Sequence, residues 1–153
     1  MRNLGVVVCA LVLVFVAGCG KKAEEQAAED DRLIQEYIAA NNLNASKAPS
    51  GLYYVIDQQG SGPECNSSSD VRVAYTGYFL DGIIFDGSDQ QGITFNLGGV
   101  IEGWRLGIPY FREGGTGKLL IPSALGYGPS GSGNGNIPSN AVLVFDIDLI
   151  EVL

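Results

Sequence analysis

The chain has 153 residues with 46% hydrophobic content, enough for one ordinary domain with a core and an extension. It contains no His, and its 17 acidic against 9 basic side chains give a net charge of −8. This composition excludes imidazole acid–base chemistry, Ser-His-Asp and Cys-His machinery and His-ligated metals, and it argues against a nucleic-acid partner, because phosphate binding needs clustered Lys and Arg. Three Cys are too few for a disulfide framework or a four-Cys zinc site.

Met1-Arg2-Asn3 is a short basic start, and residues 4–16 form an apolar run of 13 residues. That run is too short to span a bilayer comfortably and suits the apolar segment of an export signal. The following Val16-Ala17-Gly18-Cys19 resembles the lipobox of bacterial lipoproteins. The resemblance implies cleavage after residue 18 and lipidation of Cys19; the alternative is a plain secretory signal with an incidental Cys. Removal of residues 1–18 takes away Arg2 and leaves 8 basic against 17 acidic side chains, a net −9. Cys65 would then be the one free thiol, in a polar stretch, and reads as a bystander.

Residues 19–31 contain GKKAEEQAAEDD, small, polar and charged, and read as a tether. Fully extended it reaches roughly 35–40 Å from the anchor. Residues 32–50 form a short helix and linker. The helical stripe is Leu33, Ile34, Tyr37 and Ile38, its periodicity begins near Asp30, and Asn41-Asn42 ends it. A helix this short needs a surface to pack on. Its own domain, a second copy of the chain, and disorder all stay open.

From residue 51 the pattern changes to period two. Strands are expected over residues 52–58, 71–76, 93–97, 118–121 and 141–153, with Asp81-Gly82 as a hairpin turn. In the last strand Leu143, Phe145, Ile147 and Leu149 share one face, and Asp146 and Asp148 mark the other as solvated. Only residues 101–108 look helical, with Ile101, Trp104 and Ile108 on one side. About five strands and one short helix without βαβ alternation predict an α+β domain over residues 51–153, its antiparallel sheet burying an apolar face on that helix.

Three motifs carry no chemistry. Gly126-x-Gly128-x-x-Gly131 fits a dinucleotide fingerprint in spelling only, since Pro129 interrupts it and no strand–helix junction surrounds it. Asp81, Asp86 and Asp89 match no calcium-loop spacing. The Gly/Ser/Asn run at residues 130–136 reads as a mobile loop, with no helix or basic residue to bind phosphate.

What remains is an aromatic and apolar set, Tyr75, Phe85, Asp86, Phe95, Val100, Ile101, Trp104, Tyr127, Ile137 and Phe145. It is richer than a core requires: a lone Trp on the one internal helix, two Tyr, and a Gly-rich loop entering Ile137-Pro138. Eight short segments occur in an order that resembles the FKBP family of peptidyl-prolyl isomerases. They are Val73-Ala-Tyr-Thr-Gly77, Asp81-Gly82, Phe85-Asp86, Phe95-x-Leu97-Gly98, Val100-Ile-x-Gly-Trp104, Gly126-Tyr-Gly128, Ile137-Pro138 and Leu143-Val-Phe-Asp146. The helix and Pro49-Ser-Gly-Leu-Tyr-Tyr54 resemble the front of bacterial envelope members.

The resemblance implies a bent antiparallel sheet around one helix and a shallow apolar pocket for a prolyl ring. Trp104 would be its floor, with Tyr75, Phe85, Phe95, Val100, Ile101, Ile137 and Phe145 around it. The Ile101 N–H and the Tyr127 hydroxyl would face the bound peptide's carbonyls, and Asp86 would anchor the polar edge beside Tyr75. No cofactor and no metal are implied. Proline-containing polypeptide clients and macrolide inhibitors are the implied partners, with the membrane reached through Cys19, a location in the cell envelope, and a monomer favoured. A client-holding module without turnover, and a scaffold recruiting partners through its N-terminal helix, are the competing readings. Three departures stand out. Only Gly98-Gly99 precede Val100-Ile101, a shorter connection than in some members. Ile93 occupies a position where many members carry an aromatic, and residues 129–136 hold no bulky group, which implies a weak grip on residues flanking the proline.

Overall fold

The computed structural model describes residues 17–153; the expected export-signal run at residues 4–16 lies outside the described residues. The elements in chain order are helix α1 (Ala17–Ala40), strands β1 (Ser46–Lys47), β2 (Tyr53–Gln58), β3 (Asp70–Tyr78), β4 (Ile84–Gly87) and β5 (Ile93–Asn96), helix α2 (Glu102–Gly107), and strands β6 (Gly115–Ile121) and β7 (Leu143–Val152). The strands form one antiparallel sheet in the order β1-β2-β6-β7-β3-β4, with β5 pairing the other end of β3. The α+β class and the single internal helix agree with expectation. Seven strands are present against about five expected; the additional two are β1, a two-residue exposed pair too short for a period-two signal, and β4, four residues following the Asp81-Gly82 turn.

The stretch expected to be a tether, residues 19–31, is helical instead, part of an unbroken α1 of 24 residues. Its Ala, Glu, Gln and Lys are strong helix formers, so propensity favours the helix although no apolar stripe announces it. Pairs one turn apart add to this: Gln26 donates to Asp30 at 2.8 Å, and Arg32 pairs with Glu29 and Glu36. The helix stops where Asn42 takes a left-handed φ of 52°.

The two faces of the sheet are covered by different helices. On one face Val73, Leu119, Ile121, Leu143, Ile147 and Leu149 bury against α2 and its continuation through Ile108 and Phe111. Glycine lets α2 lie flat there: a Cβ on Gly103 would meet the Ile121 side chain at 2.5 Å, and one on Gly107 would meet Leu119 at 2.7 Å. On the opposite face Tyr53, Val55, Leu120 and Val144 pack with Ile34, and Leu33, Tyr37 and Ile38 close around them. The α1 stripe therefore docks on its own domain. Farther along that face α1 is absent, and Asp146 is paired with Lys118 while Asp148 is exposed to solvent.

Candidate active site

The period-two pattern of β3 points Tyr75 to the α2 side, and that of β7 does the same for Phe145. Phe95 arrives from β5, Asp86 from β4, Val100 and Ile101 from the segment entering α2, Trp104 from α2 itself, and Tyr127 from the loop after β6. With Gly99 these residues line a cleft of about 440 Å³. Among the expected residues, Tyr75, Asp86, Phe95, Val100, Ile101, Trp104, Tyr127 and Phe145 are brought together.

Trp104 organises the cleft. Tyr75, Phe95 and Phe145 all stand edge-on to its ring, with centroids at 5.0, 5.3 and 5.4 Å and interplanar angles of 88°, 74° and 83°. Edge-to-face packing is the favoured aromatic arrangement, and three walls perpendicular to one floor leave a slot above the indole. The indole is 4% exposed and its Nε1 is buried without an acceptor among the described residues. Its partners are thus aromatic faces and edges, and its stabilisation is apolar.

The polar groups sit on the rim. The Tyr75 hydroxyl donates to Asp86 Oδ2 at 2.9 Å, and Asp86 Oδ1 accepts the Gly87 N–H at 2.8 Å. Burial first, and then the bond to the carboxylate, push the Tyr75 hydroxyl up to about 12, so it stays a donor throughout the ordinary pH range. The Tyr75 N–H donates to Ser88 Oγ at 3.0 Å, which fixes β3 against the segment after β4. The Ile101 carbonyl accepts the N–H groups of Trp104 and Arg105, whereas its own N–H meets no acceptor among the described residues. Tyr127 is 41% exposed and lines the same cleft.

Two expected residues stand behind the cleft rather than in it. Phe85 packs edge-on to Phe145 at 5.6 Å and on Phe79 at 4.9 Å, so it buttresses the Phe145 wall. Ile137 is 6% exposed within the main core, at the end of a loop that closes on itself: the Ser132 N–H donates to the Ile137 carbonyl, and the Ile137 N–H donates to Ser132 Oγ. Ile93 is 45% exposed on β5, and Phe95 supplies the aromatic wall contributed by that strand. Gly99 and Ser88 were not legible as site residues, since neither carries a pattern in the sequence.

A bent antiparallel sheet closed over one short helix, with an aromatic cleft at the helix entrance, places the fold among prolyl isomerases. It is similar to the crystal structure of a peptidyl-prolyl cis-trans isomerase from Pseudomonas syringae pv. tomato, with a TM-score of 0.74 and 31% identity over 84% of this chain and 94% of that one. It is also similar to that of FkpA from Escherichia coli, with a TM-score of 0.72 and 33% identity over 89% of this chain and 65% of that one. Residues 62–150 match the family described as FKBP-type peptidyl-prolyl cis-trans isomerase, and the chain belongs to that family. Among curated relatives, the FKBP-type isomerase FkpA of Aeromonas hydrophila is 39% identical over 86% of this chain. The chain spans about half the length of the curated relatives it matches.

Proposed function

We propose that this chain catalyses cis–trans isomerisation of Xaa-Pro bonds in polypeptides of the bacterial cell envelope, and that a lipid on Cys19 holds it at a membrane. The observation that carries the isomerase reading is the slot over Trp104, walled by three rings and rimmed by hydrogen-bond donors, with no Ser, Thr, Cys, Lys or His in its lining.

Such a slot suits this reaction. Rotation about a peptide bond meets a barrier of about 18–20 kcal/mol because planarity preserves resonance. In the twisted transition state that resonance is gone and the carbonyl oxygen carries less charge. The twisted amide therefore loses less than the planar one on leaving water for an apolar pocket. Each 1.36 kcal/mol of that preference is tenfold in rate. The prolyl ring lies on the Trp104 indole between Tyr75, Phe95 and Phe145, with Val100 and Ile101 against its side. The free Ile101 N–H and the Tyr127 hydroxyl donate to substrate carbonyls and hold the chain on either side of the rotating bond. Asp86 keeps the Tyr75 hydroxyl turned to the rim. Phe85 and Ile137 act by supporting Phe145 and the loop end. Macrolides bearing a pipecolyl ring fit the same slot as competitors.

The anchor reading rests on the apolar run, the small residues and Cys19 in lipobox order. Among the described residues no helix is long and apolar enough to cross a membrane. Acyl chains contribute about 0.8 kcal/mol per buried CH₂, so two hold a protein firmly. NMR exchange spectroscopy on Ala-Leu-Pro and Ala-Glu-Pro peptides, with the full chain in detergent, tests the activity. Accelerated exchange is expected, and peptide binding without acceleration would replace the isomerase by a client-holding module. Detergent-phase partitioning tests the anchor: Cys19→Ser is expected in the aqueous phase, still folded.

A further inference from the structure

Asp30 and Ser123 are the two buried polar side chains among the described residues, and they are bonded to each other. Asp30 is 1% exposed. Its Oδ2 accepts both the Ser123 N–H at 2.8 Å and the Ser123 hydroxyl at 2.6 Å, and its Oδ1 accepts from Gln26 at 2.8 Å. A carboxylate leaves water at high cost unless such donors replace the water. The apolar stripe of α1 makes its own contacts with the sheet from Leu33 onward and buries Ile34 completely.

The place where Asp30 lands is informative. Ser123 opens a single tight turn, Ser123–Leu125, that leaves the end of β6 and delivers the chain to Tyr127. Within that stretch Leu125 N–H bonds to the Pro122 carbonyl and Gly126 N–H to the Ser123 carbonyl, both local contacts. Among the described residues, Asp30 is the one side chain from another segment that hydrogen-bonds residues 122–127. The residues just after Tyr127 are tied separately, by Asn140 N–H to the Gly128 carbonyl at 2.9 Å and by Ser139 Oγ to the Pro129 carbonyl at 2.6 Å, so that Asp30 secures the approach to Tyr127 from the β6 side.

We propose that Asp30 is a positioning residue for the isomerase site: by fixing the Ser123 turn it sets where the Tyr127 hydroxyl stands over the cleft, making α1 part of the catalytic unit. This rests on the isomerase reading above. A double-mutant cycle tests it, with kcat/KM on the Ala-Leu-Pro peptide measured for the full chain in detergent. Asp30→Ala is expected to lose roughly tenfold in the parent background and less than about twofold when Tyr127→Phe is already present. Asp30→Asn retains an oxygen for Ser123 and can donate its amide to a rotated Gln26, so it should recover most of the rate. Equal fold losses in both backgrounds, an unchanged rate for Asp30→Ala, or no recovery in Asp30→Asn would each overturn the proposal. Should Asp30→Ala not fold, Ser123→Ala takes its place in the cycle under the same criteria. An inactive parent chain removes the isomerase reading and this inference with it, whereas an active parent with an additive cycle removes this inference alone.

Discussion

The two faces of the sheet solve the same burial problem in opposite ways. On the α1 side, Tyr53, Val55, Leu120 and Val144 meet an aliphatic and tyrosine stripe that closes completely over Ile34, and the clefts beside α1 lie at its first half, against Ser123 and Ala124. On the α2 side, the aliphatic residues nearest Gly103 and Gly107 are sealed as tightly, but toward the entrance of the helix the residues become aromatic and stand perpendicular to one another. Flexible aliphatic chains fill gaps, whereas flat rings held edge-on cannot. The cleft is thus a consequence of ring shape at one end of an otherwise ordinary core.

Four measurements break or sharpen this comparison. The largest effect is expected on the sealed face. Ile34→Ala removes a completely buried side chain and should cost about 2–5 kcal/mol in chemical denaturation while leaving ligand affinity unchanged. A loss below ~1 kcal/mol would mean that α1 is only loosely seated.

Trp104→Leu on the open face should keep the fold and weaken prolyl-ligand or macrolide binding by roughly tenfold or more, since the stacking floor is lost. In the parent chain the fluorescence of this single Trp should change on titration with such a ligand, with binding established independently by calorimetry. Calorimetric binding with silent fluorescence would put the ligand elsewhere.

A smaller effect is expected at the rim. Asp86→Ala deletes the acceptor of the Tyr75 hydroxyl, a partly exposed bond that contributes about 1 kcal/mol to stability. Its isomerase rate should fall while its melting temperature hardly moves; turnover equal to the parent would reduce Asp86 to a turn residue.

The smallest effect is an absence of one. The hydroxyl of Tyr75 ionises near 10 when unfolded and at about 12 in the cleft. Because the folded value is the higher one, its contribution to stability is complete below pH 10 and is lost as pH rises through 12. With no His in the chain, the rate should be flat between about pH 6 and pH 9. A bell-shaped profile in that window would require an imidazole-like acid or base, and the chain has no His.

How much of this was legible beforehand depended on periodicity. Tyr75, Phe145 and Trp104 lie in segments whose alternation or three-and-four spacing points them to one side, and the sheet face and the helix followed. Phe85 and Ile137 were expected at the cleft from the family resemblance of the segments Phe85-Asp86 and Ile137-Pro138; a short motif does not fix which side of a residue is left bare, and here both pack behind the lining. The first half of α1 was hidden because a helix that is polar all round has no stripe, so its Ala, Glu and Lys read equally well as a linker. Asp30 was hidden for a related reason. A single acidic residue in an acidic run gives no sign that it alone is buried, and Ser123, its partner, lies more than ninety residues away.

The continuity of α1 changes what an attachment at Cys19 means mechanically. A floppy leash lets its cargo sample a hemisphere of positions and orientations. About eleven helical residues separate Cys19 from Asp30, a rise of about 16 Å, less than half the reach of the same residues drawn out as a string. Under the proposed lipid on Cys19, α1, whose second half docks on the sheet, would make the attachment a stiff stalk rather than a leash. Under that proposal the cleft would work on whatever emerges at that height, and a break in the stalk between residues 20 and 24 would change which clients it meets while leaving Gln26, Asp30 and the cleft in place.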